Sequence, residues 1–472
     1  MRAVDPAAPG EAGHGAGRRP PLWLRGPGAN HWFVRRASPL TDPNAPGEPC
    51  TLHFDGEAIA ADRRDTVASA LIAAGELMTS RSAKYRRPRG AYCLLGDCGT
   101  CLVRVDGQPN VRACLTPVRD GMQVASQNSY GDLDPTALID AVFPGGIDHH
   151  HLVVYPRVAN SVMQGVARNL TGFGTLPDHA PVTDAWREDH VPEVLVVGAG
   201  RTGRVVAAAL FAAGVDVLLL DRRDPAALAA WDPAPLPASV RAGVGVFAAY
   251  PHEGLWAAAA ASGEDGAAPT LHIIRPRHVV LALGSHQPTL PLPGNDLPGV
   301  LSARGLRHLL ARTGRRPHGP VVVICSGTQA EADALALGAT LIEPEAVRKI
   351  VGRRRVKAVD TNNGRVPARL VALAPAPAPA SELAAQAGAA LQWTGDGFTP
   401  ICDPDGRVQL RAEDHPLAGP ETFDLADSQQ VPAPPAPPWT LWACGALGGA
   451  SDPRALVAAL LRSIERPEAS HV

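Results

Sequence analysis

Four of the eight cysteines in this 472-residue chain fall within one short segment. They are Cys93, Cys98, Cys101 and Cys114, spaced C-x4-C-x2-C-x12-C. Plant-type [2Fe–2S] clusters use this spacing, because two bridged irons need four thiolates, three from one tight loop and one from a later residue. Gly96 and Gly99 lie where the backbone must approach an inorganic core and where positive φ is easiest. Zinc loops more often carry paired short spacings, so the pattern favours a [2Fe–2S] cluster over a zinc site or four unrelated thiols.

A second chemical pattern lies in the middle of the chain. The apolar run Val194–Val197 predicts a buried parallel strand, and a G-x-G-x-x-G motif, a helix over 204–213 and a second strand over 215–220 follow it. The motif glycines are Gly198, Gly200 and Gly203, and Asp221 closes the second strand. In this context the motif predicts a dinucleotide site. Its glycines let pyrophosphate approach the helix N-terminus, and Asp221 is expected to bond the ribose hydroxyls. A doubly wound domain with an empty loop is the alternative.

Two further strand-to-loop junctions extend this domain. The segment His278–Gly284 is an apolar strand that ends in Gly284, where a chain would pass close to a bound dinucleotide. Pro320–Ile324 opens a second α/β unit, but Cys325 replaces the first glycine of its loop. The helix of that unit is also short, since Gly327 and Gly338 are only eleven positions apart. We therefore expect a degenerate nucleotide-binding unit there.

The cysteine loop needs a small scaffold around it. Asp55-Gly56 and Asp106-Gly107 are two-residue hairpin turns, and a helix over 66–74 is expected between them, capped by Asp65 and ended by Gly75. This predicts a ferredoxin-like β-grasp domain. The basic loop 80–90 leads into the cysteines and either is simply solvated or offsets the negative charge of the cluster or of a partner.

The predicted fold is α/β plus α+β, with the β-grasp [2Fe–2S] domain followed by a Rossmann-type FAD/NAD(P)-binding domain that contains an inserted second nucleotide-type unit. The expected boundaries are a disordered leader at 1–47, the [2Fe–2S] domain at 48–125, a connector at 126–190, the dinucleotide domain at 191–315 and 385–472, and the inserted unit at 316–384. The connector carries the triplet His149–His151, and three consecutive histidines cannot all face one ion from a regular strand or helix.

Composition narrows the class of protein. Lys and Arg number 44 and Asp and Glu 46, so a net charge of −2 gives no reason to expect nucleic acid or an anionic membrane as a partner. No apolar run reaches the ~20 residues of a membrane span, and the first residues lack the apolar core of a secretory signal. The remaining cysteines are scattered, which predicts reduced thiols in a cytoplasmic protein. They are Cys50, Cys325, Cys402 and Cys444.

The segment Ser80–Val124, with its RPRG, PNVRAC, TPV and GM elements, carries a family resemblance. It resembles the N-terminal domain of the α (A-type) subunits of multi-subunit amine oxidoreductases. These include sarcosine oxidase, opine oxidase, the proline dehydrogenase complexes and hydrogen cyanide synthase. The dinucleotide part, with ALGSHQP and PLPGNDLPGV, is similar to the pyridine-nucleotide-disulfide type of flavoprotein that follows in those subunits. The resemblance covers roughly residues 50–465.

The resemblance implies FAD, or NAD in the sarcosine oxidase branch, at Gly198, Gly200, Gly203 and Asp221. It also implies a hetero-oligomer with an FAD-dependent β subunit that oxidises a small amine or imino acid. Three features depart from the family pattern. Arg201-Thr202 replaces a small Pro-Ala pair, Cys444 stands where an aspartate often holds the flavin ribityl chain, and no C-x-x-C redox pair follows the Rossmann unit. FAD, NAD and an emptied site all stay open at this stage.

We therefore predict an electron-transfer subunit that relays electrons from a partner flavoprotein through the cluster, with no catalytic residue of its own. One alternative is a self-contained NAD(P)H-dependent ferredoxin-type reductase, which would need a working second nucleotide loop. The other is a non-catalytic scaffold or redox-sensing subunit with a vestigial nucleotide site.

Overall fold

The computed structural model describes residues 33–35, 48–82, 87–127, 158, 160–161, 185–231, 240–260, 269–317, 319–325, 338–411, 439–448 and 452–465. Strands and helices are mixed throughout these ranges, which confirms the predicted fold class. Among the helices described, none is long and apolar enough to cross a membrane. The triplet His149–His151 and the loop after Cys325 lie outside the described residues. So does the leader, except for Phe33–Arg35, which pairs with Arg315–Pro317.

The N-terminal unit is a five-stranded sheet with one packed helix, Val67–Ala74. In spatial order its strands are Glu57–Asp62, Pro49–Phe54, Gln123–Ser126, Leu102–Val105 and Gln108–Arg112. Both predicted hairpin turns are present, with positive φ at Asp55 and Asp106 as a type I′ turn requires. The predicted helix cap was wrong. Thr66 is the N-cap residue, because its hydroxyl accepts from the Ser69 N–H, whereas Asp65 bonds the Ser69 hydroxyl.

The dinucleotide unit is a five-stranded parallel sheet whose central strands are buried on both faces. Its strands, in spatial order, are Val240–Ala242, Val217–Asp221, Val194–Val197, His278–Leu281 and Thr440–Ala443. Helices Arg201–Ala212, Pro225–Trp231 and Pro453–Glu465 belong to this unit. The first and last of them pack on one face with Val206, Leu210, Leu456 and Leu460. The late strand Thr440–Ala443 completes the sheet. The second α/β unit is therefore inserted within the sequence of the dinucleotide unit.

The inserted second α/β unit begins earlier in the chain than the sequence indicates. The second α/β sheet orders its strands Val300–Ser302, Leu370–Ala374, Val321–Cys325 and Thr340–Ile342, with helix Ala303–Thr313 after the first. The expected boundary at 316 therefore falls inside this unit. The strand Val300–Ser302 is only three residues long, so its apolar pattern is too short to identify before its partner Leu370–Ala374 is known.

Smaller sheets flank these units. A side sheet consists of Val244–Tyr250, Leu255–Ala260, Thr270–Ile274 and Trp186–His190, and a three-stranded sheet of Val347–Gly352, Val356–Thr361 and Gly364–Pro367. Short paired segments join Ser80–Arg81 to Pro88–Arg89, Ser285–His286 to Ala378–Pro379, and Leu391–Trp393 to Phe398–Pro400. Pro344–Ala346 is a 3-10 turn, and Glu382–Gln386 is a short helix beside the side sheet.

The N-terminal unit is fixed to the second α/β unit by a buried ion pair. Both Arg315 amino groups bond the Asp65 carboxylate, at 2.7 and 2.5 Å, and the two side chains are 8% and 1% exposed. One continuous apolar core also spans the two units, and it includes Leu71, Val103, Leu306 and Val323. The cysteine loop is therefore held in a fixed position against the rest of the chain.

Candidate redox site

The four predicted cluster ligands come together in the structure. Cys93, Cys101 and Cys114 are buried and Cys98 is exposed, and all four are free thiols. The Cys93 sulfur accepts backbone N–H groups from Leu95, Asp97 and Cys98, at 3.5, 3.2 and 3.3 Å. Hydrogen bonds between thiols also join Cys93 to Cys114 and to Cys98, and they lower the pKa of Cys93. The Cys93 sulfur accepts hydrogen bonds as a thiolate would. Together the four converging thiols are the donor set that a [2Fe–2S] cluster needs.

The path of the loop depends on close approaches that only glycine allows. Gly96 has φ +83°, and a Cβ there would lie 2.7 Å from the Leu115 Cδ1 atom. Gly99 also has positive φ, with open space around it. Behind the loop, a Cβ on Gly305 would lie only 2.0 Å from the Cys93 carbonyl oxygen. The N-terminal turn of helix Ala303–Thr313 therefore packs directly on the first ligand.

The predicted dinucleotide residues surround one cavity of about 780 Å³. Gly198, Gly200, Asp221 and Gly284 line it together with the start of helix Arg201–Ala212. Gly203 does not line the cavity. It lies behind the loop, where a Cβ would be 1.8 Å from the Gly198 carbonyl oxygen, so it allows the helix to pack on the strand. A Cβ on Gly198 would in turn lie 2.4 Å from the Ala282 carbonyl oxygen. The loop therefore has the close backbone approaches that the G-x-G-x-x-G motif predicts.

Asp221 has partners that the sequence does not reveal. One carboxylate oxygen accepts the Ala199 N–H at 2.7 Å, and Arg223 bonds both oxygens at 2.7 and 2.9 Å. These contacts and the Arg223 charge outweigh burial and hold the pKa of Asp221 below its usual value. Ribose hydroxyls would have to displace Arg223, so the predicted ribose-binding role of Asp221 stays a prediction.

Two of the three departures from the family pattern lie in this cavity. Arg201 and Thr202 line it beside the glycines, and Cys444 lines it from the end of the last strand. Burial raises the pKa of Cys444 to about 12, so this thiol carries no charge at neutral pH. It cannot replace the negative charge of an aspartate.

The cysteine loop forms part of the wall of the dinucleotide cavity. Leu95 and Asp97 line it, and Arg222 bonds both the Leu95 carbonyl, at 3.2 Å, and the Asp97 carboxylate. On the other side His286 lies 3.7 Å from Asp97 and bonds Glu382 at 3.0 Å. We call Asp97, Arg222, His286 and Glu382 the charged partition. These contacts raise the pKa of His286 to about 9.

The charged partition also lines a second cavity of about 900 Å³ on the cysteine side. Cys93, Cys98 and Tyr92 face this second cavity, as do Arg87 and Arg89 of the basic loop. Asp296 pairs with both of these arginines, at 3.5 and 2.9 Å, so these two side chains of the basic loop are held by an acid of the same chain. Sequence reasoning missed the partition, because its members are as many as 285 positions apart, from Asp97 to Glu382. The available signals were an acid inside the cysteine loop and an arginine next to Asp221.

Comparison with known proteins identifies the N-terminal unit first. Residues 47–129 match the family described as "2Fe-2S iron-sulfur cluster binding domain". Hydrogen cyanide synthase subunit HcnA of Pseudomonas aeruginosa is 39% identical over 82 residues, which are 78% of that protein and 17% of this chain. The chain belongs to the α (A-type) subunit family of multi-subunit amine oxidoreductases. The resemblance predicted from Ser80–Val124 is therefore confirmed.

A longer relative extends the match beyond this unit. Sarcosine oxidase subunit alpha of Rhizobium meliloti is 32% identical over 183 residues, which are 37% of this chain but only 18% of that protein. The aligned part of this chain thus covers less than a fifth of that relative's full length. In fold, L-proline dehydrogenase from P. horikoshii matches 90% of this chain and 75% of its own, with a TM-score of 0.62 and 16% identity. At that identity the likeness describes the architecture alone.

Proposed function

We propose that this chain is the electron-transfer subunit of a multi-subunit FAD-dependent amine or imino-acid dehydrogenase or oxidase. One observation carries the proposal: the cysteine loop is itself a wall of the dinucleotide cavity, through Leu95 and Asp97. Two redox groups bound at these sites would lie on opposite sides of the charged partition. We infer from this shared wall that the two groups exchange electrons.

The glycines and the helix N-terminus of the cavity suit a dinucleotide, and Gly198, Gly200, Asp221 and Gly284 are proposed to hold FAD there, while Gly203 lets the helix pack behind the loop. Bound FAD supplies two-electron chemistry that a one-electron [2Fe–2S] cluster can complement. The N-terminus of helix Arg201–Ala212 attracts the pyrophosphate, and the Arg201 cation adds to this attraction. Arg304 also lines the cavity, and it bonds the Ser285 carbonyl beside Gly284, which fixes that loop.

The oxidation of the amine itself is assigned to a partner. Its proposed chemistry is that of an FAD-dependent β subunit in a hetero-oligomer, and the small amine or imino acid reaches the relay only through that subunit. The exposed Cys98 edge and the cavity beside Arg87 and Arg89 give a route by which electrons enter or leave the cluster. The cytoplasmic location and the outer domain boundaries stay predictions.

The test is to co-express the chain with its chromosomal neighbours, purify the complex, and quantify iron, sulfide and flavin per chain. We expect two irons, two sulfides and one flavin on this chain, plus a flavoprotein partner. Cluster bleaching on addition of secondary amino acids such as sarcosine or L-proline should require the partner. A fully active monomer would contradict the proposal.

One observation favours the alternative of a non-catalytic scaffold or redox-sensing subunit with a vestigial nucleotide site. Arg223 occupies both oxygens of Asp221, and the thiol of Cys444 offers no charge to a ribityl chain. Purified protein with cluster absorption but no flavin or NAD(H), even after soaking with both, would favour this alternative. Rapid bleaching by NADH without a partner would instead favour the self-contained reductase, against which the buried Cys325 argues.

A further inference from the structure

A cluster of metal-type ligands lies on the side sheet, away from the cysteine loop and the dinucleotide cavity. Its members are Glu188 and His190 on the strand Trp186–His190 and His272 on the strand Thr270–Ile274. The two strands run parallel, and the register places Glu188 directly opposite His272. Because side chains alternate along a strand, Glu188 and His190 share one face. The topology therefore brings three ligand side chains to one point at the sheet edge.

The separations match those around a tetrahedral ion. The His190 Nε2 and His272 Nδ1 atoms are 3.1 Å apart, and the Glu188 Oε2 atom lies 3.6 and 3.5 Å from them. Bonds of about 2.0–2.1 Å from one ion to imidazole nitrogen and carboxylate oxygen put neighbouring ligands about 3.3–3.4 Å apart. A hydrogen bond between the imidazoles accounts for the first distance alone. The carboxylate oxygen, in addition, faces both nitrogens as a third ligand would.

The surroundings resemble a supported metal site. His272 is buried, His190 is mostly buried, and Glu188 is half-exposed, so one side stays open to solvent. Arg241 donates to the same Glu188 oxygen at 2.9 Å. An oxygen held in this way keeps its orientation, as carboxylate ligands in metal sites usually do. Besides Glu188, the charge of Arg241 acts on both imidazoles and that of Asp189 acts on His190.

We propose that Glu188, His190 and His272 bind one divalent transition-metal ion of the Zn²⁺ class, with an open fourth position for water. Two neutral imidazoles and a carboxylate suit this class, whereas Ca²⁺ and Mg²⁺ prefer oxygen ligands. The ion fastens the edge strand Trp186–His190 to the strand Thr270–Ile274, and through Arg241 to the end of the dinucleotide sheet. This site is independent of the proposed electron relay.

The test uses the purified protein with its cluster intact and oxidised, dialysed against micromolar Zn²⁺. Zinc and iron are then measured together on the wild type, His190→Gln and Asp189→Asn. Asp189 is the control, because it is the neighbouring acid, points to the other face and pairs with Arg187 and Arg275. We expect one zinc per chain in the wild type and in the control, and at least about 10-fold weaker binding in His190→Gln.

The same samples give a second readout. Bound Zn²⁺ should raise the midpoint of thermal unfolding of the wild type and of Asp189→Asn but not that of His190→Gln, because an ion that binds only the native state stabilises it. Equal zinc binding by His190→Gln and the control would overturn the proposal. So would an absence of bound zinc in the wild type, or zinc gained only as iron is lost, which would place the ion in the cysteine loop.

Discussion

Replacing Gly305 by alanine tests how tightly helix Ala303–Thr313 is packed on the first cluster ligand. The added Cβ would lie 2.0 Å from the Cys93 carbonyl oxygen and 2.8 Å from the Ser302 hydroxyl. Contacts of this kind are essentially never shorter than 3.0 Å, so the two backbones must separate by about 1.0 Å, the difference between 3.0 and 2.0. The atom in the way is backbone, so no side-chain rotation relieves the clash.

The sign of the effect follows from two opposed contributions. Alanine is a better helix former than glycine by about 1 kcal/mol, and overpacking of this kind costs about 1–3 kcal/mol. Since Gly305 lies in the first turn, where propensity counts least, we expect a net loss of about 1–2 kcal/mol in the free energy of unfolding. We also expect altered visible circular dichroism and EPR of the reduced cluster, because Cys93 moves with its carbonyl.

Gly121→Ala is the matched control. Gly121 has φ +73° and open space around it, so alanine there costs about 1–2 kcal/mol through backbone strain without touching the cysteine loop. Both variants should lose stability in a denaturant titration, and only Gly305→Ala should change the cluster spectra. A Gly305→Ala protein that is more stable than wild type, with unchanged spectra, would refute the close packing.

Three further predictions concern single residues. Asp65→Ala should lower the free energy of unfolding by about 3–5 kcal/mol, since it leaves Arg315 buried without its partner; a loss below 1 kcal/mol in denaturant titration would contradict this. The pKa of His286 is raised to about 9 in the folded chain, so its contribution to stability is complete below about pH 6.5 and is lost as pH rises towards 9. The difference in unfolding midpoint between wild type and His286→Gln should therefore shrink over that range, and a difference that is constant with pH would be inconsistent with this pKa. Cys114→Ala should lose iron and sulfide while Cys50→Ala, equally buried at 6% exposure, keeps both; retention of both by the two variants would rule out Cys114 as a ligand.

Local sequence patterns predicted much of the fold, because short-range chemistry controls those elements. The turns at Asp55-Gly56 and Asp106-Gly107 and the glycine after helix Val67–Ala74 have the predicted conformations, since each requires a left-handed backbone. The cap at Asp65 was wrong for a related reason. Asp65 and Thr66 are both good caps, and a long-range bond to Arg315 decides which of them is free to act.

The boundary of the second α/β unit shows where pattern reading fails. The strand Val300–Ser302 has no signal of its own and is defined by pairing with Leu370–Ala374, about 70 positions later. The metal-type cluster is a similar case. Glu188 and His190 are close in sequence, but nothing local indicates that His272 lies opposite them.

The sequence by itself determined which chemistry this protein can carry. The spacing of Cys93, Cys98, Cys101 and Cys114 and the glycines of Gly198–Gly203 are local requirements of the groups that they are predicted to bind, so each set lies within one short segment. Only the tertiary structure decided that the two sites share a wall, because Asp97, Arg222 and His286 meet through contacts between separate units. Such contacts depend on the relative placement of whole sheets, and no short window of sequence encodes that placement.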